Sequence, residues 1–206
     1  MMSVLAISDL HGYLPTIPKC DLLLLGGDYN PKRNLEQQER FMLGPFKEWL
    51  EGIDARYIVG IAGNHDFILQ AKRLDLPWIY LQDESVGIEG VKIYGTPWTP
   101  TFGDWAFMAE EQELRKKFAN IPSELDILLS HGPVTGILDK VKGGSNAGSR
   151  ELLYAVAETT PDNFVCGHIH EARGVFDGDV TRFYNVSYLN EIYEPVGYPV
   201  NVALRV

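Results

Sequence analysis

A layered α/β domain is the fold class that this 206-residue sequence predicts. Short apolar runs rich in Val, Ile and Leu stop abruptly at glycine or polar residues, which is typical of buried strands. Amphipathic patterns lie between several of these runs, and alternating strands and helices indicate this class. The runs that predict the main strands are Val4–Ile7 and residues 22–25, 57–61, 127–129 and 164–166.

Three segments predict helices. Residues 35–50 carry apolar side chains at helical spacing, and residues 110–118 have a charged outer face. Ser149 stands where it can cap a helix that follows it.

The second half of the chain predicts antiparallel pairing beside this parallel core. Glu89 and Gly90 predict a hairpin turn between residues 86–88 and 91–94. Further strands separated by turn residues are predicted at residues 175–176, 181–186 and 200–204.

The composition predicts one globular domain over residues 1–206, with 45% hydrophobic and 22% charged residues. A net charge of −10 repels a nucleic-acid backbone, so no duplex nucleic-acid partner is expected. No apolar run approaches the roughly 18 residues of a membrane helix, so no membrane partner is expected. Cys20 and Cys166 predict buried thiols in a reducing compartment, and we expect a cytoplasmic protein.

All five histidines follow predicted strands and stand beside Asp, Asn or Gly. Loops beyond the carboxyl ends of parallel strands share one crevice in an open α/β sheet, so we expect these polar side chains to converge. The converging set is Asp9, His11, Asp28, Asn64, His65, His131, His168 and His170.

Carboxylate and amide oxygens combined with imidazole nitrogens suit Mn²⁺, Fe, Zn²⁺ or Ni²⁺. Seven ligating groups, which is one fewer than the eight residues of the set, are too many for one tetrahedral ion and about right for two ions that share a carboxylate. In an extended chain, the side chains of Asp9 and His11 point to the same side, as do those of His168 and His170. Each pair is therefore expected to reach one cluster.

Each motif taken alone has an ordinary structural explanation. Asp-x-His is common in surface loops, and Gly-Asp and His-Gly-Pro are common in turns. The functional interpretation depends on their joint occurrence, in this order, at five strand ends.

The order of motifs resembles that of the calcineurin-like metallophosphoesterase superfamily, over residues 4–170. Residues 94–100, 104–107, 166–172 and 185–187 are similar to the brain metallophosphoesterase-domain proteins and their microbial relatives, which are class III phosphodiesterase-like. This resemblance implies a four-layer αββα sandwich of two mixed sheets with flanking helices.

The resemblance also implies a role for each site residue. Asp9, His11 and His170 would hold a first ion. Asn64, His131 and His168 would hold a second, and Asp28 would bridge the two. His65 would contact a phosphoryl oxygen or protonate the leaving alkoxide. Asp66 is grouped with His65 as catalytic, and two roles are open for it: orienting His65 or capping the turn.

The function so implied is hydrolysis of a small phosphoester with two divalent ions, Mn²⁺ first among the candidates, through hydroxide activated between them. Small phosphodiesters such as cyclic nucleotides are the expected substrates, because the chain lacks an inserted cap domain and a basic groove. One alternative is a phosphomonoesterase or small protein phosphatase with the same metal site. The other is a non-catalytic scaffold on this fold.

Several residues near the motifs leave alternatives open. An aromatic segment, comprising Trp98, Phe102, Trp105 and Phe107, is expected to form a small core under a loop rather than a stacking surface for a nucleobase. Arg150 and Arg173 are expected to be solvated rather than to bind phosphate. The tail tyrosines either cover the second sheet or pair subunits; they are Tyr188, Tyr193 and Tyr198.

Overall fold

Two mixed β-sheets pack face to face, with helices on the outer face of each, in the computed structural model, which describes residues 2–205. The elements of the first half are β1 (Val4–Ile7), β2 (Cys20–Leu25), α1 (Leu35–Phe41), α2 (Lys47–Glu51), β3 (Ala55–Gly60), α3 (Phe67–Ala71), β4 (Ile79–Tyr80), β5 (Glu84–Ile88) and β6 (Val91–Thr96). Those of the second half are β7 (Thr99–Pro100), β8 (Met108–Ala109), α4 (Glu111–Phe118), β9 (Ile127–Ser130), α5 (Arg150–Thr159), β10 (Asn163–Cys166), β11 (Gly174–Asp177), β12 (Arg182–Asn185) and β13 (Val200–Asn201).

Both sheets consist mainly of parallel strands and have an antiparallel strand at an edge. The first runs β13-β1-β2-β3-β4, with β1 to β4 parallel and β13 antiparallel to β1. The second runs β11-β12-β10-β9-β6-β5, with four parallel inner strands and an antiparallel strand at each edge. The antiparallel pairing predicted for the second half is confirmed.

Alternation along the strands divides the core into three layers. Leu22 and Leu24 point between the sheets, whereas Leu23 and Leu25 pack with the helices outside the first sheet. On the outer face of the second sheet, Phe164 packs with side chains of α4 and α5. This helix–sheet–sheet–helix arrangement confirms the predicted fold class.

The helix predicted over residues 35–50 is interrupted. Residues Met42–Phe46 form a π-helical turn between α1 and α2, and Pro45 lies within it. Proline has no backbone N–H to donate within a helix, and a π-turn accommodates the missing bond. The predicted cap at Ser149 is confirmed, since its hydroxyl accepts a hydrogen bond from Leu152 N.

The other differences between the predicted and the observed elements lie in strand boundaries and in short elements. The strand predicted at residues 200–204 is paired only over Val200–Asn201. The hairpin turn at Glu89 and Gly90 is confirmed, with φ of +48° and +90°. The sequence did not predict α3, β4 or the small β7–β8 pair, which are too short to show a periodic pattern.

Over residues 2–205, no helix has the length and apolar character needed to cross a membrane. Cys20 and Cys166 are buried free thiols, as predicted.

Candidate metal centre

The site lies where the carboxyl ends of parallel strands from both sheets meet. The loops after β1, β2 and β3 come from the first sheet, and those after β9 and β10 come from the second. The crevice expected at one open sheet is therefore formed between two sheets. Ser8 links them, because its N–H donates to Val186 O and its carbonyl accepts from Tyr188 N.

All the side chains expected to converge are brought together. Three groups have ligand atoms within 4.8 Å of one another: Asp9, His11 and His170; Asp28, His131 and His168; and His11, Asp28 and His65. The amide oxygen of Asn64 lies 2.9 Å from His131 Nε2, which places it beside the second group.

The distances around the two carboxylates are slightly longer than those within a coordination shell. One Asp28 oxygen lies 3.5 Å from His131 Nε2 and the other 3.6 Å from His11 Nε2, while an Asp9 oxygen lies 3.5 Å from His170 Nε2. Ligand atoms about 2.1 Å from one ion are roughly 3.0–3.4 Å apart. Asp28 therefore faces both groups of imidazoles.

Left-handed backbone, not an extended chain, aims these side chains. The φ angles are +58° at Asp9, +42° at His11, +59° at Asp28 and +69° at His168. The expectation of an extended chain is therefore wrong for both pairs, although the side chains of Asp9 and His11 still reach one ligand group. Non-glycine residues adopt such angles at a free-energy cost of about 1–3 kcal/mol each, and they cluster at functional sites.

Backbone groups orient two of the imidazoles. His131 Nδ1 donates to Gly26 O at 2.8 Å, and His170 Nδ1 donates to Asn190 O at 3.0 Å. Donation from Nδ1 leaves Nε2 facing the carboxylates, as is usual for metal-bound histidines.

Charge pairing sets the protonation of four groups. Burial alone would raise the pKa of Asp9, but the hydrogen bond and charge of His170 hold it below the ordinary range. Burial likewise opposes ionisation of Asp28, and nearby imidazoles led by His131 hold its pKa well below the usual value. Against the effect of burial, these carboxylates raise the pKa of His131 and of His170 to about 9.

Two further imidazoles, those of His11 and His168, are neutral bases. Burial lowers the pKa of His11 to about 4, despite the charge of Asp28. Burial and the nearby His131 lower the pKa of His168 to about 3. His11 Nε2 is buried and has no hydrogen-bond partner among residues 2–205. A neutral imidazole with an unpartnered nitrogen fits a metal ion, so the residues fit divalent cations.

Asp66 organises the loops around the site. Its carboxylate is fully buried, and no hydrogen bond joins it to the His65 ring within the described part of the chain. Of the two roles open for Asp66, these contacts favour the structural one. The groups that donate to it are the backbone N–H of Asp28, Tyr29, Asn30 and Gly63 and the side-chain amide of Asn30. Burial, with the charge of Asp28, raises its pKa to about 6.

A cavity of about 800 Å³ opens beside the cluster, and the aromatic segment divides between it and the core. Phe107 is buried, and Trp98 packs with the core and donates Nε1–H to Asp83. Phe102 and Trp105 line the cavity instead. The single small core expected for all four residues is therefore wrong for these two, since the β7–β8 pair holds their loop over the site.

Tyr193, in the C-terminal tail that follows β12, lies at the site, a position that the sequence did not predict. The Tyr193 ring lies 4.8 Å from that of His11 and 5.2 Å from that of His170, and it lines the cavity. No local pattern indicates this contact. Tyr198 is 83% exposed.

Arg173 and Arg150 differ in how far they are exposed to solvent. Arg173 is half-buried and donates to the carbonyls of Ser187 and Tyr198, so it anchors the tail and the expectation that it is solvated is wrong. Burial lowers its pKa. Arg150 is exposed, as expected.

The sequence of the chain matches a family model and several curated proteins. The family model for calcineurin-like phosphoesterase matches residues 2–172. The chain is 32% identical, over 231 aligned positions, to metallophosphoesterase domain-containing protein 1 of Homo sapiens, an alignment that covers 96% of this chain and 69% of that protein.

Solved structures share the fold at low identity. Phosphopantetheinyl hydrolase from Mycobacterium tuberculosis superimposes with a TM-score of 0.56 at 14% identity, covering 97% of this chain and 95% of that one. GAP50, the anchor in the inner membrane complex of Plasmodium, superimposes with a TM-score of 0.51 at 10% identity, covering 91% of this chain and 71% of that one. These likenesses show the fold alone.

Proposed function

Because the chain belongs to the calcineurin-like phosphoesterase family, we propose that it is a metal-dependent phosphodiesterase acting on small phosphodiesters, with 2′,3′- and 3′,5′-cyclic nucleotides as candidates. One observation carries the proposal. Imidazoles of two ligand groups, those of His11 and His131, face different oxygens of Asp28, and His11 and Asp28 line a cavity.

In this proposal, Asp9, His11 and His170 hold the first ion, and Asn64, His131 and His168 hold the second. Asp28 contributes to both. The ligand types suit Mn²⁺ first, and also Fe, Zn²⁺ or Ni²⁺. When bound, the two ions supply positive charge to the phosphoryl oxygens and lower the pKa of a water molecule between them.

His65 provides the proton chemistry. Its side chain is 23% exposed and lines the cavity, and its Nε2 lies 4.0 Å from the nearer oxygen of Asp28. Its backbone N–H donates to the other Asp28 oxygen at 2.7 Å. From there the imidazole donates to a phosphoryl oxygen or protonates the leaving alkoxide. Asp66 is a positioning residue, because it binds the backbone that carries Asp28.

The charges of the cavity favour a diester. Lys142 is the only lysine or arginine among the described residues that line it, and Glu171 and Glu191 oppose its charge. Beyond the charge of the bound ions, a diester with one negative charge needs fewer cationic side chains around it than a monoester dianion does. Phe102, Trp105 and Tyr193 offer apolar surface to the organic groups of a diester.

The proposal also includes a cytoplasmic location and no duplex nucleic-acid partner. Two buried free thiols suit a reducing compartment, which favours the cytoplasm. The net charge of −10 disfavours duplex nucleic acid as a partner.

Hydrolysis of bis-p-nitrophenyl phosphate by chelator-stripped protein, with and without added Mn²⁺, tests the proposal. We expect activity only with metal and a loss of about 10²-fold or more in His65→Ala. The cyclic nucleotides then identify the diester. A faster reaction with p-nitrophenyl phosphate would favour the monoesterase alternative instead.

The scaffold alternative is tested separately, because the fold also occurs in the anchor protein GAP50. Metal analysis of the purified protein, with thermal unfolding before and after chelation, separates the two. Absence of bound metal and an unchanged Tm would support a scaffold.

A further inference from the structure

His65 differs from His131 and His170 in how its ring is held. His131 and His170 each donate Nδ1–H to a backbone carbonyl, whereas within residues 2–205 no hydrogen bond reaches either ring nitrogen of His65. Its backbone is fixed, because its N–H donates to Asp28 and its carbonyl accepts from Gln38. The orientation of the ring must therefore come from packing.

Trp105 supplies that packing. Its indole lies against the face of the His65 imidazole, with 4.3 Å between ring centroids and 25° between planes. The ring of His11 contacts His65 edge-on, with centroids 4.6 Å apart at 87°. The imidazole is thus held between an indole face and the ring of a proposed metal ligand, and its rotation about χ2 is restricted on both sides.

Trp105 is itself contacted by the side chain of Arg33. The guanidinium carbon of Arg33 lies 4.9 Å from the Trp105 ring centroid and 5.1 Å from that of Phe67. Arg33 also pairs with the Asp104 carboxylate at 2.9 Å and donates to the Asp104 carbonyl. A cation over an indole face is an attractive contact.

The backbone ties this stack to the site. Ala106 N donates to the carbonyl of Asn64 at 3.0 Å, which joins the segment bearing Trp105 to the loop bearing His65. Side-chain contacts therefore run from Arg33 through Trp105 to His65, which lines the cavity.

We propose that Trp105 is a positioning residue that fixes the His65 imidazole for reaction, and that Arg33 fixes Trp105. The proposal rests on the proposed function, because it takes His65 as the group that meets the phosphoester. It also accounts for an aromatic side chain that lines the cavity without joining the hydrophobic core.

A double-mutant cycle tests whether Trp105 acts through His65. We expect Trp105→Ala to lower kcat on bis-p-nitrophenyl phosphate by about 10- to 100-fold with little change in KM, since a small misplacement of a catalytic group has such an effect. In the His65→Ala background, the same change should lower kcat by less than about 2-fold. Trp105→Phe should restore most of the loss, because its ring can still stack.

Tyr154→Ala is the matched control, because Tyr154 is an exposed aromatic residue of α5, 57% accessible and away from the cavity. It should leave kcat and KM unchanged. An effect of Trp105→Ala that persists in His65→Ala, or that appears in KM alone, would overturn the inference and leave the proposed function standing.

A spectroscopic measurement on metal-free protein does not depend on activity. An indole face shields the protons of a ring stacked on it, so the ¹H resonances of the His65 ring should lie upfield in the wild type. They should move downfield in Trp105→Ala. Unmoved resonances would overturn the inference. A shielded His65 in a protein that hydrolyses no ester would overturn the proposed function and, with it, the catalytic role of the stack.

Discussion

The backbone carbonyl of Asn190 accepts a hydrogen bond from Nδ1 of His170, with 3.0 Å between the two atoms. The same residue organises the turn that carries Tyr193, because its side-chain oxygen accepts from Ile192 N at 3.1 Å and Glu194 N at 2.9 Å. A proposed metal ligand and a wall of the cavity are therefore connected through one residue of the tail.

Asn190→Ala is expected to weaken metal binding by about 10-fold, because loss of the side-chain acceptor frees the carbonyl that orients His170. Glu194→Ala is the control, since Glu194 is exposed and enters this turn through its backbone. Titration of stripped protein with Mn²⁺ by calorimetry measures both. Equal affinities in the two variants would contradict the role given to Asn190.

Gly63→Ala is expected to lower the free energy of unfolding by about 1–3 kcal/mol and to abolish metal binding. A Cβ at residue 63 would lie 2.5 Å from Asp28 N and 2.6 Å from His131 Cε1, and closer still to an Asp28 carboxylate oxygen. Gly87→Ala in β5 is the matched control, because no heavy atom lies within 4 Å of its added Cβ. Urea unfolding and metal titration should separate the two variants.

Metal affinity is expected to rise with pH between about 6.5 and 9. His131 and His170 have pKa values raised to about 9 in the metal-free protein, so they are protonated at neutral pH and must lose those protons to bind metal. Calorimetry at pH 7 in two buffers of different ionisation enthalpy should detect about two protons released. An affinity that stays constant across this window would contradict the prediction.

The same groups predict how the stability of the metal-free protein depends on pH. Because their folded-state pKa values lie above the ordinary 6.5, the folded protein holds protons that the unfolded chain has released. Their contribution is fully present below pH 6.5 and is lost as pH rises through about 9. Thermal unfolding of stripped protein should therefore show Tm falling over this window.

Tyr193→Ala is expected to raise KM for aryl diesters roughly 3- to 10-fold, because the ring forms one wall of the cavity. The number of bound ions should not change, since Tyr193 contacts His11 and His170 only through ring edges. Tyr198→Ala is the control, because that side chain lies in the same tail and is 83% exposed. Steady-state kinetics with the two variants gives the comparison.

Local pattern was sufficient to predict which polar groups meet. The apolar runs before Asp9, Asp28, Asn64, His131 and His168 are short, buried and ended by polar residues, as parallel strands are. Parallel strands carry their following loops to one edge, so the convergence follows from periodicity without knowledge of the pairing. The division into two sheets came from the family resemblance, because hydrophobic alternation does not identify a strand's neighbours.

Contacts made by side chains outside the strand-end motifs could not be predicted from local pattern. The stacking of Trp105 on His65, the position of Tyr193 over His11 and the anchoring of the tail by Arg173 join loops from different parts of the chain. A loop's own residues specify its turns, whereas its position on the surface depends on the packing of the whole sandwich.

The amino-acid order therefore accounts for the main strands and helices and for the polar side chains that converge, because these depend on short-range periodicity and on side-chain type. Folding in three dimensions accounts for the left-handed backbone at Asp9 and Asp28, the unpartnered His11 nitrogen and the aromatic wall. These features exist only when strands of both sheets are packed, since each is the result of a neighbour supplied by another segment.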